Sequence, residues 1–233
     1  MSDAFGPQVP RQLPLDLPVE PRLGAEDFLV GPANAQAFAM IESWPAWPDG
    51  LLRVIGPAGS GKTHLAAIWA RRAGGRIVPA GAVAAGNVEE LARASALVVE
   101  DADRTPLDEH AMFHLLNVVR RTGASMLITA RGAPEAWGLA TPDLLSRLRL
   151  SPSVAIEPPD DVLLRAVLVK LFLDRQLVVD ANVIEALGRR MERSLAAARE
   201  LVEVLDREAL SVGRRITRTF ALEVLDRVAG DGA

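Results

Sequence analysis

The 233-residue sequence contains no cysteine and no long uninterrupted apolar run. The absence of cysteine excludes disulfides, thiolate metal sites and thiol nucleophiles, and it is typical of proteins in a reducing compartment. No segment approaches the roughly 20 apolar residues of a membrane-spanning helix. The first residues also lack the charged start and apolar stretch of a signal peptide. We therefore expect a cytoplasmic protein that does not contact a membrane.

The sequence also lacks a concentrated block of positive charge. Its 26 basic residues are scattered, and the formal net charge is −4. This distribution does not predict an extensive nucleic-acid surface, although it is compatible with a local basic patch. Hydrophobic residues make up 49% of the chain, which is sufficient for a core that folds without disulfides.

Three regions follow from the sequence pattern. Residues 1–24 carry five prolines and no helical period, which predicts a flexible arm. Residues 25–159 alternate apolar runs with helical segments, which predicts a parallel sheet covered by helices on both faces, and residues 160–233 predict a small all-α domain. The expected strands are 51–55, 76–80, 96–100, 125–129 and 153–157; the expected helices begin near 62, 87, 108 and 143 and then cover 161–175, 181–191, 194–211 and 217–229.

The segment "GPAGSGKT", residues 56–63, fits the pattern G-x-x-x-x-G-K-[ST] between an expected strand and an expected helix. Its glycines allow the backbone N–H groups to turn toward an anion at the positive end of the helix. Lys62 is expected to reach the outer phosphates of a nucleotide, and Thr63 is expected to bind magnesium. The sequence therefore predicts a phosphate-binding loop.

A loop of this kind requires an acidic residue at the end of a neighbouring strand to hold magnesium. The segment "ALVVEDAD" offers Glu100, Asp101 and Asp103. In one assignment Asp101 holds the metal, and Ala102 then occupies the position of a catalytic carboxylate. In the other assignment, which we prefer because Glu100 ends the apolar run, Glu100 holds the metal and Asp101 polarises water. Because this order inverts the usual lengths of the two acids, we expect slow intrinsic hydrolysis.

Other polar and aromatic candidates carry weaker signals. Thr129 ends a strand, where its hydroxyl is expected either to contact the γ-phosphate or water, or only to cap the strand. His110 and His114 are four residues apart but lack the glutamate of the zinc-protease motif and a third ligand, so we interpret them as ordinary helix residues. Trp44 and Trp47 are expected to pack a loop against the body.

Together these motifs, "LLSRLRL" and the trailing helices resemble the AAA+ ATPases over residues 27–229. Two further segments, "FLVGPANAQAF" and "PDLLSRLRL" with "SVAIEPPDD", are similar to the replication initiator DnaA and its relatives. The resemblance implies an α/β P-loop AAA+ fold followed by a helical lid, with ADP or ATP and Mg²⁺ as ligands, and it implies that Arg147 is an arginine finger. The nucleotide contacts that it implies are Phe28, Val30, Pro57, Ala58, Gly59, Ser60, Gly61, Lys62, Thr63, His64 and Arg193, with Thr63 and Glu100 at the metal and Asp101 and Thr129 in catalysis.

The lid arginine that contacts phosphates in this family has three candidate positions here. The local pattern "ERSLAA" selects Arg193, spacing from "GRRIT" selects Ala196, and Arg199 is a further candidate.

In the arm, "QLPLDL" resembles the Gln-Leu-x-Leu-x-Leu peptides that dock on the replicative sliding clamp. The resemblance implies that Gln12 hydrogen-bonds at the pocket rim, Leu13 starts the anchor, and Leu15 and Leu17 fill the apolar pocket. The alternative is that the stretch is an edge strand or a spacer. The implied partners are the DNA polymerase III sliding clamp (its β subunit) and DnaA, with DNA contacted only indirectly through the clamp; a homodimer is also possible.

The resemblance implies a negative regulator of replication initiation that, with the DNA-loaded sliding clamp, stimulates ATP hydrolysis by DnaA through a trans-acting arginine finger, and an ADP-bound form is expected to be competent. The sequence stops at Ala233, so no helix-turn-helix like that of DnaA is expected. The first alternative is a helicase loader or transposition-type AAA+ ATPase acting on DNA, which the arm peptide and acidic balance disfavour. The second alternative is a small-molecule kinase, which "LLSRLRL" and the helical lid disfavour.

Overall fold

The computed structural model describes residues 23–104 and 106–231, so the predicted clamp-binding residues Gln12, Leu13, Leu15 and Leu17 lie outside the described residues. The strands are β1 Leu51–Ile55, β2 Arg76–Pro79, β3 Ala96–Glu100, β4 Ser125–Ala130 and β5 Ser153–Ala155. The helices are α1 Ala35–Glu42, α2 Lys62–Ala73, α3 Val88–Leu91, α4 Glu109–Thr122, α5 Pro142–Leu150, α6 Asp161–Asp174, α7 Ala181–Arg190, α8 Leu195–Val212 and α9 Arg218–Asp231.

The five strands form one parallel sheet in the order β2-β3-β4-β1-β5. Side chains along each strand alternate between two cores. Val99 packs with Met112 of α4 on one face, whereas Val98 packs with Leu65 and Trp69 of α2 on the other. Because helices cover both faces, the strands read as continuous apolar runs. The predicted α/β fold with a parallel sheet and trailing helices is confirmed.

Helices α6 to α9 enclose a core of their own, which includes Leu164, Leu168 and Phe172 of α6. The side chain of Asp160 caps the start of α6 by accepting a hydrogen bond of 2.7 Å from the backbone N–H of Leu163. The exact domain boundaries at 24 and 159 stay a prediction. Within the described part of the chain, no helix is long and apolar enough to cross a membrane.

The observed elements differ from the predicted ones at several of their ends. Strand β5 ends at Ala155 instead of residue 157, because the N–H of Glu157 turns away to the carbonyl of Ala33. Strand β2 ends at Pro79, where a 3₁₀ turn begins. Helix α5 extends to Leu150, so Arg147 lies inside this helix.

Candidate nucleotide-binding site

The loop at residues 56–63 follows β1 at the carboxyl edge of the sheet, between the ends of β4 and β5. Gly56 donates to the carbonyl of Ala130 at 3.1 Å, and a Cβ atom built on Gly56 would lie 2.4 Å from the carbonyl oxygen of Ile156. Gly59 and Gly61 have φ values of 71° and 105°, which disfavour other residues. The fold therefore requires glycine at these three positions, as expected for a phosphate-binding loop.

The Lys62 ammonium lies inside this loop. It donates to the carbonyls of Gly56 and Pro57 at 2.7 and 2.8 Å, and the residue is buried. Burial lowers the pKa of Lys62, while the nearby carboxylates of Asp101 and Asp103 oppose that shift. A phosphate group bound in the loop would therefore meet a cation that is already positioned and largely dehydrated.

Two side chains at the loop have polar atoms that fit a bound nucleotide with magnesium. The hydroxyl of Ser60 is buried and has no hydrogen-bond partner among the described residues, and the same is true of Oε1 of Glu100. Burial raises the pKa of Glu100, and a hydrogen bond with Thr63 opposes the increase. Hydroxyl and carboxylate oxygens are the ligands that Mg²⁺ prefers.

Thr63 and Glu100 thus fit the predicted metal position, since they lie beside each other at the start of α2 and the end of β3. They would hold the ion, which when bound neutralises phosphate charge.

Asp101 and Thr129 are adjacent, but both already form interactions within the protein. Thr129 is buried, and its hydroxyl accepts a hydrogen bond of 3.0 Å from the backbone N–H of Asp101. The Asp101 backbone has a φ of 54°, and its carboxylate pairs with Arg104 at 3.2 Å. The third acid, Asp103, accepts from the backbone of Arg131 at 2.8 Å and keeps a buried, unpartnered Oδ1. Asp103 is therefore a further carboxylate beside the loop.

A cavity of about 180 Å³ adjoins the loop on the side of α6 and α8. Phe28 and His64 line it, with ring centroids 5.1 Å apart, and Nε2 of His64 donates to the carbonyl of Gly24 at 2.9 Å. Burial lowers the pKa of His64, which favours this neutral donor form. Leu29 lines the cavity, whereas the predicted base contact Val30 does not and is half exposed. The apolar walls suit a nucleobase.

Helix α8 begins directly on the loop. The backbone N–H of Leu195 donates to the carbonyl of Gly59 at 2.9 Å, and a Cβ atom on Gly59 would lie 2.1 Å from Oγ of Ser194. The predicted Pro57 and Ala58 are exposed at the tip of the loop. The helical region thus forms one wall of the site.

The three candidate lid positions are now distinguishable by their surroundings. Arg193 lies in the turn before α8 and pairs with Asp161 at 2.8 Å, while Ala196 carries no charge. Arg199 lines the 180 Å³ cavity, and burial lowers its pKa. The structure shows no carboxylate partner for Arg199 within residues 23–104 and 106–231. The geometry therefore favours Arg199 as the arginine that meets a bound nucleotide, and local sequence pattern had favoured Arg193.

Arg147 lies at the other end of the sheet. Its guanidinium is 5.6 Å from the centre of the Phe113 ring, and it lines a cavity of about 510 Å³ together with Leu51 and Pro152. These two residues precede or begin β1 and β5, whereas the phosphate-binding loop follows the end of β1. Arg147 therefore faces away from this chain's own loop. The neighbouring Arg149 pairs with Glu135 at 2.6 Å.

The remaining candidates, His114 and the two tryptophans, form contacts that support the fold. His114 lies 3.6 Å from Glu89, and the described part of the chain contains no group of three potential metal-ligating side chains. Trp47 is buried against Trp69 with ring centroids 4.9 Å apart, and Trp44 donates to the hydroxyl of Ser125 at 2.9 Å. Both tryptophans therefore pack the loop after α1 against the body.

No protein-family model matches the chain. Among solved structures it is similar to domain III of the replication initiation protein DnaA from Thermotoga maritima, with a TM-score of 0.78, 18% identity and coverage of 91% of this chain and 98% of that one. It is similar to AMPPCP-bound DnaA from Aquifex aeolicus, with a TM-score of 0.70, 18% identity and coverage of 91% and 71%. It is also similar to the Holliday junction branch migration motor RuvB from Thermotoga maritima, with a TM-score of 0.64, 16% identity and coverage of 84% and 69%. The chain therefore has the AAA+ fold.

Proposed function

We propose that this chain is a nucleotide-binding regulator of replication initiation of the Hda type, within the DnaA-related clade of AAA+ proteins. In this proposal it binds ADP or ATP with Mg²⁺, docks on the DNA-loaded sliding clamp through residues 12–17, and stimulates ATP hydrolysis by DnaA. Its own hydrolysis is slow.

The nucleotide-binding part is supported by the loop at 56–63 and its unpartnered polar atoms. The same fold holds AMPPCP in DnaA from Aquifex aeolicus. The half-buried guanidinium of Arg199 and the buried ammonium of Lys62 both gain a counter-charge when phosphates bind, and this favours an anionic ligand.

The observation that carries the regulatory role is the environment of Arg147. Arg147 forms no ion pair with a carboxylate among the described residues, although Asp143 lines the same cavity, and the Phe113 ring supports it at a distance from the loop at 56–63. A planar guanidinium held in this way is suited to stabilising charge on a phosphoryl group in another molecule. The proposed target is the ATP bound to DnaA.

The test replaces Arg147 by Ala and measures ATP hydrolysis by DnaA with clamp and DNA present. Loss of an arginine finger lowers the rate by ~10³–10⁵-fold, while nucleotide binding, clamp binding and stability are retained. Arg147→Lys should not restore the rate, because an ammonium lacks the planar fork. Arg149→Ala is the matched control, since Arg149 already pairs with Glu135 and its loss should cost less. An Arg147→Ala protein as active as the parent contradicts the proposal.

The clamp contact is tested by changing Gln12 and Leu13 together to Ala. Capture by the sliding clamp should be lost, while nucleotide affinity and thermal stability stay nearly unchanged. If clamp binding persists at the parent strength, residues 12–17 are a spacer.

The alternative is a AAA+ ATPase that acts on DNA directly, as a helicase loader or transposition-type protein does. One solved structure with this fold is DnaA bound to AMPPCP and single-stranded DNA, at a TM-score of 0.67. Fluorescence anisotropy of a labelled oligonucleotide distinguishes the two functions. Tight binding of the oligonucleotide in the absence of the clamp supports the alternative. Weak binding that requires the clamp supports the regulator.

A further inference from the structure

Helix α6 exposes an apolar face. Val162, Ala166, Val169 and Leu173 follow one another at spacings of four, three and four residues, which places them on one side of the helix. The three large side chains among them are 74%, 44% and 68% exposed. The opposite side of α6, with Leu164, Leu168 and Phe172, is buried in the core of the helical region. We call the exposed set of four residues the α6 stripe.

This arrangement is unusual in the described part of the chain. The other large exposed hydrophobic residues form no such row: Leu150 and Leu210 stand singly on their helices, Ile77 lies in β2, and Val30 and Val178 lie outside the helices and strands. Isolated exposed apolar residues are normal, but a contiguous row along three helical turns marks a contact surface. Among residues 23–104 and 106–231, none covers the α6 stripe.

The described chain starts beside this stripe. Asp27 pairs with Lys170 of α6 at 2.7 Å, and Lys170 directly follows Val169 in the helix. The carbonyl of Gly24 is bound to His64 in the neighbouring α2. Val19 precedes Asp27 by eight residues, so residues 13–19 are within reach of the stripe along the chain.

The arm matches the stripe in length and pattern. Leu13, Leu15, Leu17 and Val19 alternate with other residues, so in an extended chain they share one face. Six residues of extended chain span about 20 Å, and the eleven-residue rise from the first to the last member of the stripe spans about 17 Å. Arg165 borders the stripe, is exposed and forms no ion pair with a carboxylate in the described part of the chain, and Asp16 lies between Leu15 and Leu17. The apolar pattern, the length and the charge of residues 13–19 thus match those of the α6 stripe.

We propose that residues 13–19 of this chain dock on its own α6 stripe. The docking buries the leucines that the proposed function assigns to the clamp, so arm docking and clamp binding exclude one another. The competition with the clamp rests on the proposed function, whereas the intramolecular contact does not. Lys170 and Asp174 follow Val169 and Leu173 of the stripe directly in α6, and both line the 180 Å³ cavity. The stripe therefore adjoins the proposed nucleotide site.

The contact is tested by cross-linking in the natural cysteine-free background. The pair Leu17→Cys with Val169→Cys should form an intramolecular disulfide rapidly under mild oxidation, because a disulfide requires Cα atoms within about 7 Å. Leu17→Cys with Leu210→Cys is the matched control, since Leu210 is 68% exposed on another helix of the same region. At least a tenfold faster reaction of the first pair is expected. Equal rates overturn the docking, and disulfide-linked dimers identify a second copy as the occupant instead.

A second measurement uses clamp affinity. Val169→Asp should free the arm and raise affinity for the clamp by about three- to tenfold, because apparent affinity scales with the fraction of competent arm. Leu210→Asp should leave it unchanged. Unchanged or lower affinity of Val169→Asp overturns the competition. If Gln12 and Leu13 can be replaced without loss of clamp binding while the disulfide still forms, the proposed clamp site fails and the arm docking stands.

Discussion

The two ends of the sheet carry different kinds of surface. At the carboxyl edge, Lys62, Glu100 and Arg199 have pKa values shifted mainly by burial, and the described residues leave polar atoms there without partners. At the amino edge, the cavity beside Arg147 is almost three times larger, at about 510 against 180 Å³, and it has an apolar floor. The smaller cavity nevertheless has the chemistry of a ligand site.

The difference shows that unsatisfied polar groups identify a site better than volume does. Burying charges and leaving buried oxygens unpaired costs stability unless a ligand supplies the missing partners. The described residues that line the cavity beside Arg147 include none of these unpartnered buried atoms, so this cavity suits contact with another protein. Variants at the two edges should therefore affect different measurements.

Lys62→Ala should produce the largest loss at the carboxyl edge. It removes a charge-assisted partner of the phosphates, worth ~1.5–3 kcal/mol, and should weaken nucleotide binding by about one to two powers of ten. Titration of the folded variant with a fluorescent nucleotide measures this loss. Arg120→Ala at the amino edge provides the comparison and should not change nucleotide affinity. Equal affinity of Lys62→Ala and the parent would contradict the assignment of the loop.

Arg199→Ala should have a smaller effect of the same kind. A half-buried guanidinium without a carboxylate partner among the described residues should contribute about 1–2 kcal/mol to binding of an anionic ligand, so affinity should fall by roughly tenfold. Arg193→Ala removes an exposed pair with Asp161, and its effect should stay within about 1 kcal/mol of stability with little change in affinity. The reverse order in a calorimetric titration would restore Arg193 as the nucleotide contact.

Glu100→Gln should have the smallest effect of these variants, and we expect it to increase the free energy of unfolding. Burial raises the pKa of Glu100 in the folded state, so the folded chain binds the proton more tightly than the unfolded chain does. The stability of the nucleotide-free protein should therefore fall as pH rises through the interval between the unfolded and folded pKa values.

The Gln variant should lose that pH dependence and gain up to about 1 kcal/mol near neutral pH, while magnesium-dependent nucleotide binding decreases. Thermal unfolding at several pH values measures both slopes. A variant with the slope of the parent would show that Glu100 is not the destabilised carboxyl.

The carboxyl edge was easier to predict from sequence than the amino edge. The loop at 56–63 is contiguous, and its glycines and lysine sit at fixed spacings, so local pattern was sufficient. Leu29, Asp103 and Arg199 were missed or left open because their roles depend on neighbours distant in the chain. Arg199, for example, faces Gly61 and His64 only because α8 packs on the loop. Arg147 could be named from its motif, but its support by Phe113 comes from the packing of α5 on α4.

The sequence by itself determined the parallel sheet, the trailing helices and the position of the glycine-rich loop at 56–63. Each depends on hydrophobic period or on residues adjacent in the chain, and short-range sterics and burial are sufficient to specify it. Only the tertiary structure decided which lid arginine approaches the loop, which acids keep unpaired oxygens, and which face of α6 stays exposed. These depend on distances between residues far apart in the chain, and on the loss of water around buried charges, which no local pattern encodes.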